Sequence, residues 1–546
     1  MILKHYAFAD GTDNLKFEIK TQLQANNDEN INKILAYNYA SFGRDSYYID
    51  NPRPFYKGQG LAYSSFVTDS AGNFSEPIVI DVDIEKMVNF SGITLSCNQT
   101  IKRIKFNMYS ADTMVEELSL YNEDDSNFFR TNSENISKVR ITIYSIKDGY
   151  NFLDIFGIYF GKVYVFEEKD FKTPKMVNNI SVSGRELPID TFSFELYDKP
   201  DDLLFDNNQK VEIIIDKVPE YTFFVDKFEN DGENSFKVSC VDCVSLLEET
   251  YEGGYFEKVE ARTIAKEILD DTNLPYEFTE SLGDFLVTGY IPVTTKRNGL
   301  IYLANALGCK ILKQPSLKFV NYKDSAITFD DDSIFFGTFK LNKETPSKSV
   351  ELSAFNYHYV LSDSGDYEEV YGEYLKAGSH IIYLQKGCDP DEEYTDIKAL
   401  NEKDGVSIGS DTFVQGSIKI TTNAIRFEIN KDCYVVIKQA MFLESKKATI
   451  IKKIPNADLY KNYNVETIDT FSLMRCNIDD DNVDYYTRAD ELLKYYSINE
   501  TAKARVVWKK PMLDYFVDLY GEKYAVNKLT TSFTDAVEIE VTKIVD

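Results

Sequence analysis

Tryptophan is almost absent, with Trp508 alone, and histidine is reduced to His5, His358 and His380. No apolar run approaches the ~20 residues that a helical membrane span needs. The three histidines are distant in sequence, so they suggest neither a zinc set nor a Ser–His pair. GxSxG, HExxH and Walker loops are missing, and with 89 Asp and Glu a carboxylate pair has no meaning from sequence alone. The reading is therefore not an enzyme, with no cofactor, no metal and no catalytic residue assigned. Cysteine is present but unorganised. The seven positions (Cys97, Cys240, Cys243, Cys309, Cys388, Cys433, Cys476) are odd in number and scattered, which excludes a disulfide framework and points to assembly in a reducing cytosol. The opening MILKHYAFADGTD lacks an apolar h-region and a cleavage site, so Sec export is not expected. Positive charge is also short: 60 Lys and Arg against 89 Asp and Glu leave a formal net charge of -29. Such a surface repels phosphate backbones and anionic membranes, which argues against a nucleic-acid partner.

What the chain does have is length and aromatic strand formers. Its 546 residues exceed one hydrophobic core, and 38 Tyr with 37 Phe fit half-buried pleated surfaces. The fold class expected is mainly β and multidomain. Residues 1–160 read as a β-sandwich: Ile78, Ile80, Val82 and Ile84 alternate, and Ile101, Ile104, Phe106, Val139, Ile141 and Ile143 continue the pattern between Asn, Asp, Gly and Ser turns. Residues 161–255 carry short strands, including Phe192, Phe194 and Leu196 on one face and Phe236, Val238 and Cys240 on another, which close economically as a small barrel. Residues 256–335 hold two helices. Ile264, Ala265, Ile268 and Leu269 share one face of the first, and Leu300, Leu303, Ala304 and Leu307 one face of the second, with Gly308 as its stop. A polar, strand-rich stretch at 366–455 reads as an inserted β-domain. It is followed by a short helix at Ala489–Tyr496 and closing strands such as Val537–Val541.

The order IVIDVDI, SGITLSCN, IKFNMYS, VRITIYS, FLDIFGIYFG resembles a galactose-binding-like, discoidin-type jelly roll over about 100 residues. A second resemblance rests on ISVSGRELPIDTFSFELYD, FKVSCVDCVSLLEE, the TIAKEILDDTNL and GLIYLANALGCKI unit, and the C-terminal YGEKYAVNKLTTSFTDAVEIEVTKI. These look like the baseplate hub, or tail-associated protein, of phage tails and phage-tail-like particles. The resemblance implies two related hub-type β-barrels per subunit, here 161–255 and a split barrel of 336–365 with 456–546. Three subunits would then present six barrels to a sixfold tube. It further implies a homotrimeric ring at the tail tip. Tail tube or distal tail protein, tape measure and spike or tip proteins would be its partners. The N-terminal sandwich and the 366–455 insertion depart from a minimal hub. They suggest a contact with host cell-wall glycan, as in tails or tailocins of Gram-positive hosts. A carbohydrate-binding adhesin or receptor-binding tail protein, and a cell-wall hydrolase tip protein, are the alternatives.

Several constellations have chemical readings. Cys240-Val241-Asp242-Cys243 is a CxxC with no second pair, and packing is the better account. Asp330-Asp331-Asp332 and Asp479-Asp480-Asp481-Asn482-Val483-Asp484 offer carboxylates for calcium, but the latter lacks the turn Gly and distal Glu, so both read as solvated turns. His358 in FNYHYVL reads as a core histidine, and Gly253-Gly254 as a turn. Tyr47, Tyr48, Phe55 and Tyr63 are candidates for stacking on sugar rings, with no sugar-binding residue assigned.

Overall fold

The computed structural model describes residues 1–8, 15–19, 23–25, 62–64 and 67–544, less short gaps at 124–125, 173, 198–206, 216–217, 231–235, 271, 273, 280, 315, 322, 363–365, 477–484 and 510–511. The chain is mainly β and divides into two compact units, one of residues 2–169 with 200–214 and one of 170–199 with 215–546.

The first unit begins with β1 (Ile2–Phe8), β2 (Leu15–Ile19), β3 (Leu23–Ala25), β4 (Ala62–Ser64) and the long β5 (Asn73–Cys97). It continues through β6 (Ile101–Ser110), β7 (Thr113–Tyr121), β8 (Phe128–Ile146), β9 (Asp154–Tyr159) and β10 (Gly161–Glu167). One sheet runs β3-β4-β9-β5-β8-β6-β7, with β2 on β5. Strand β5 can serve this whole sheet because it breaks register with β8 repeatedly between Asp83 and Gly92. Its first half pairs with β2 and its last residues with β9, and such irregularities bend a strand around its core. The alternation read from sequence is real: Ile78, Ile80, Val82 and Ile84 are buried with Phe106, Ile141 and Ile143. On the opposite face Asp81 is buried too, held by both arms of Arg140 at 2.6 and 2.8 Å directly across the ladder.

In chain order β11 (Lys175–Asn179) and β12 (Thr191–Leu196) open the second unit, while β13 (Lys210–Ile215) belongs to the first. There β13 and β10 flank β1, each antiparallel to it. Buried His5 on β1 meets Gln209 at 2.8 Å and stacks on Tyr164.

The second unit adds β14 (Val218–Asn230), β15 (Phe236–Val241), β16 (Thr250–Tyr251), β17 (Gly254–Glu260), α1 (Ala261–Leu269), β18 (Tyr276–Phe278), β19 (Leu286–Ile291), β20 (Thr294–Thr295) and α2 (Lys296–Leu307). The expected apolar stripes of both helices face one core. Gly308 ends α2 at φ 66°, a left-handed cap that a Cβ would strain. Then come β21 (Lys310–Leu312), β22 (Leu317–Val320), β23 (Lys323–Phe329), β24 (Lys340–Lys343) and β25 (Ser347–Leu361). Strands β26 (Glu368–Leu375), β27 (Gly378–Tyr383), β28 (Thr395–Leu400), β29 (Lys419–Ile420), β30 (Ala424–Ile429) and β31 (Cys433–Gln439) form two three-stranded sheets, β26-β31-β28 and β27-β30-β29, around one small core. Strands β32 (Met441–Lys453) and β33 (Asn464–Phe471) flank β25, β34 (Leu473–Arg475) joins β19, and α3 (Tyr485–Ile498) packs on β25. Helix α3 is longer than the Ala489–Tyr496 read from sequence. The chain closes with β35 (Glu500–Val507), β36 (Tyr515–Leu519), β37 (Glu522–Thr531) and β38 (Ala536–Lys543). Among the described residues no helix is long and apolar enough to cross a membrane.

Among the described residues the two expected barrels do not close. Strands β14-β15-β12-β11-β37-β38-β35-β24 make one continuous ladder, because β11 spends its second edge on β37. Bonding that edge to the distant C-terminal strands leaves the path open.

Candidate functional site

The open ladder contains one pattern twice. In the first set β11, β12, β14 and β15 stand in the order β11-β12-β15-β14; in the second, β24, β35, β37 and β38 stand as β24-β35-β38-β37. Numbered along the chain, both orders are first, second, fourth, third. The registers agree as well. Phe192 faces Cys240 and Phe194 faces Val238, as Ala502 faces Val541 and Ala504 faces Ile539. These residues are all buried, and the intervening positions point away from the core.

The hairpins match down to an irregularity. The ladder between β14 and β15 slips between Val225 and Lys227, and that between β37 and β38 slips between Val526 and Lys528. Each slip leaves one extra residue on the same strand, Asp226 or Asn527, as a bulge. Val225 with Val526, and Cys240 with Val541, are both 301 residues apart (526 − 225 and 541 − 240). The stretches Phe-Phe-Val-Asp-Lys-Phe (223–228) and Tyr-Ala-Val-Asn-Lys-Leu (524–529) are therefore equivalent.

The two sets meet where β11 runs antiparallel to the second half of β37, Met176 opposite Thr531 and Asn179 opposite Lys528. Ile180 extends the junction by donating its amide to the carbonyl of the bulged Asn527 at 2.7 Å. Met176 and Leu529 are buried there. At the far end of the ladder β24 pairs on one side only among the described residues, with β35, and all four of its residues are exposed.

A buried charge cluster fastens the helical segment to the first set. Lys313 follows β21 and places Nζ 2.6 Å from Asp190 Oδ1, 3.4 Å from Asp242 Oδ2, and within hydrogen-bonding reach of the Asn179 and Pro188 carbonyls. Asp242 takes the amides of Asp190 and Val244, which starts the 3-10 turn Cys243–Leu247. Burial pushes the Asp242 carboxyl up to about 6, helped by the neighbouring Asp190 charge. Burial also raises Asp190, and the Lys313 ammonium opposes that rise. Two carboxylates and one ammonium, all nearly excluded from water, hold together only as a set. Next to it Gln314 clamps the main chain of Thr222 in both directions, at 2.7 and 2.8 Å. A cavity of about 160 Å³ lies alongside, walled by Asn178, Ile180, Leu529, Trp508 and Met512. A second anchor is Arg488 on α3, buried, reaching the Ser183 carbonyl, Asn305 and Glu491.

The candidates read from sequence fall apart from this region or into its framework. Cys240 and Cys243 are buried and form no disulfide, Cys243 Sγ donating to the Lys313 carbonyl at 3.8 Å, and burial raises both thiols, that of Cys243 to about 12. They pack. Asp330–Asp332 form an exposed turn, and among the described residues no group of His, Cys, Asp and Glu is placed to hold a metal. His358 is not a core histidine but an exposed residue of β25, since its neighbours Tyr357 and Tyr359 take the inward places. His380 is half-buried, its Nε2 2.7 Å from the Lys376 carbonyl. Gly253 is the turn expected, at φ 67°, with the Ile291 carbonyl where a Cβ would stand. Tyr47, Tyr48, Phe55, the Tyr63 side chain and the Asp479–Asp484 loop lie outside the described residues. Sequence reading missed Lys313, Asp190 and Asp242, which have no motif. It also missed the repeat, whose only trace is Val-Asp-Lys against Val-Asn-Lys.

No family model and no curated protein matches the chain. Among solved structures it is similar to prophage tail protein gp18 of Listeria monocytogenes EGD-e, at 8% identity and TM-score 0.39, over 70% of this chain and 91% of that one. It is similar also to the 43 kDa tail protein of prophage MuSo2 from Shewanella oneidensis (12% identity, TM-score 0.38, 70% of this chain and 96% of that one). A third is the tail protein from Neisseria meningitidis MC58 (11%, 0.38, 68% and 91%).

Proposed function

We propose that this chain is a structural component of a phage-type tail, a hub or tail-tip protein whose copies form a ring between the tail tube and the spike. The observation that carries the reading is the repeat: two strand sets of one order and one register, each with its bulge, in a single polypeptide. A chain built this way offers two near-equivalent faces, so three copies present six and can seat a sixfold tube on a threefold tip. The role is mechanical and adhesive, with no covalent step. Tail tube or distal tail protein, tape measure and spike protein are the partners it implies. Light scattering of the purified chain tests the ring: the mass of three chains is expected, and a single-chain mass at micromolar concentration would overturn it.

A second role, contact with host glycan, has an observation of its own in the segment of β26 to β31. Tyr374 and Tyr434 stand directly opposite each other on the outer face of that sheet, Tyr374 exposed. The Tyr434 hydroxyl donates to the Gly372 carbonyl at 2.9 Å, which lays its ring along the strand. Lys398 and Asp396 border this row. Two neighbouring rings beside groups that donate and accept suit the apolar face and hydroxyls of a neutral sugar.

A further inference from the structure

Close-packed interiors leave few voids larger than a water molecule, so the cavity of about 160 Å³ beside Lys313 calls for an account. It lies wholly within the second unit, where β11, β14, β21, β37 and the segment before β36 meet. We infer that this cavity is a binding site for one neutral ring that carries an O–H or N–H donor, the chemistry of a phenol. The inference does not depend on the assembly proposed above.

Polar contacts hold the walls apart. Lys310, 2% exposed, gives its Nζ to the Leu513 carbonyl at 2.6 Å. Gln314 clamps Thr222, and the Ile180 amide is bonded to the Asn527 carbonyl. Segments pinned in this way do not slide in to fill the space, and a preformed site costs a ligand little reorganisation. The size suits a single ring, since an apolar cavity of about 150 Å³ takes benzene.

The lining decides the chemistry. Ile180, Leu529 and Met512 are buried and apolar, whereas Trp508 and Tyr221 are half-buried, which places the mouth beside these two rings. Phe533 meets the Tyr221 ring edge-on, and the Trp508 amide is bonded to the Asp535 carbonyl. Asn178, 2% exposed, spends its Nδ2 on Asp190 at 2.9 Å, while its Oδ1 has no hydrogen-bond partner among the described residues. A buried oxygen left in that state costs free energy that a donor recovers.

The charged groups around it are already engaged. The three N–H bonds of Lys313 go to Asp190 and to the Asn179 and Pro188 carbonyls, and Asp190 also takes the Asn179 amide at 2.7 Å. Lys509 turns its Nζ to the Thr328 carbonyl and over the Phe329 ring. An anion would enter beside two committed cations, and an ammonium beside a committed carboxylate. Burying either charge without a partner is costly, so the site selects a neutral ligand.

Trp508 is the single tryptophan of the chain, so its emission reports on this wall. The full-length chain is titrated with phenol and excited at the red edge of tryptophan absorption, where tyrosine and phenol scarcely absorb. A saturable change with a Kd of about 1 mM or tighter is expected. Anisole, which lacks the donor, and benzoate and benzylamine, which are charged, should each bind more weakly by about tenfold or more. Ile180→Phe or Met512→Phe, whichever keeps the wild-type unfolding midpoint, fills the cavity and should abolish the response to phenol. The site is overturned by any of three results: no saturable response, an equal affinity for anisole or either ion, or an unaltered response in a filled variant. N-acetyltyrosinamide separates two sources of the ring. Its binding supports a tyrosine side chain on a partner peptide, and binding of phenol alone supports a free small molecule.

Discussion

Val225 and Val526 each stand immediately before a one-residue bulge, opposite Cys240 and Val541 in hairpins of equal length. A bulge shifts the side chains beyond it to the other face, so it fixes which residues a strand turns inward. Two hairpins that share one therefore sort their residues alike, and differences in burial between them report what covers each.

Met176 is the clearest case: it faces Phe192 as Leu341 faces Ala502, and the shared position is covered in one set and bare in the other. Met176→Ala removes a fully buried side chain and should cost about 2–5 kcal/mol in urea unfolding of the full chain. Leu341→Ala, in chain diluted below association, should cost about 0.5 kcal/mol or less. Equal costs would show that the two positions are not distinguished as described.

Lys313→Met leaves Asp190 and Asp242 buried without their ammonium, and a loss of about 3–5 kcal/mol is expected at pH 8. The cost should depend on pH. Burial raises Asp242 from 3.8 to about 6, so the stability this group contributes is fully present below about 3.8 and is lost as pH rises through about 6. Without Lys313 the penalty for ionising deepens, and the difference between variant and wild type should shrink from pH 8 to pH 5. A cost that is flat across that range would refute the account.

His5 has the opposite sign. Burial lowers it from 6.5 to about 4, against the hydrogen bond to Gln209. Its contribution is complete above 6.5 and is lost as pH falls toward 4, by about 3 kcal/mol at most. His5→Phe should flatten the fall in unfolding midpoint over that interval, measured by calorimetry on the first unit's transition. An unchanged acid limb would exclude His5 as its source.

Tyr374→Ala and Tyr434→Ala should each weaken binding of a neutral cell-wall polysaccharide by about tenfold, the scale of one stacking contact. Titration calorimetry would register it. Wild-type affinity in both variants would remove the glycan reading from this face.

The strands that pair with sequence neighbours were legible. Ile78 to Ile84 alternate and are buried in that phase, and α2 ends at Gly308 as its composition requires. Local periodicity carries such information because it depends on residues two to four apart. The partner of β11 was not legible, since Met176 and Thr531 lie at opposite ends of the unit's sequence and no local pattern names a distant edge. That pairing is also why the expected barrels stay open. Lys313 was missed for a related reason: a lysine after a short strand reads as surface until Asp190 and Asp242 are seen to converge on it.

In the second set, everything from β25 to α3 is spliced between the first strand and the second, so the bulged hairpin β37–β38 is never interrupted. Cargo grafted into that connection, for instance at the exposed Glu402–Asp404 tip, would ride on the chain without interrupting either strand set. The molecule thereby separates what it displays from what it is built with, and the display can be exchanged while the scaffold is left alone.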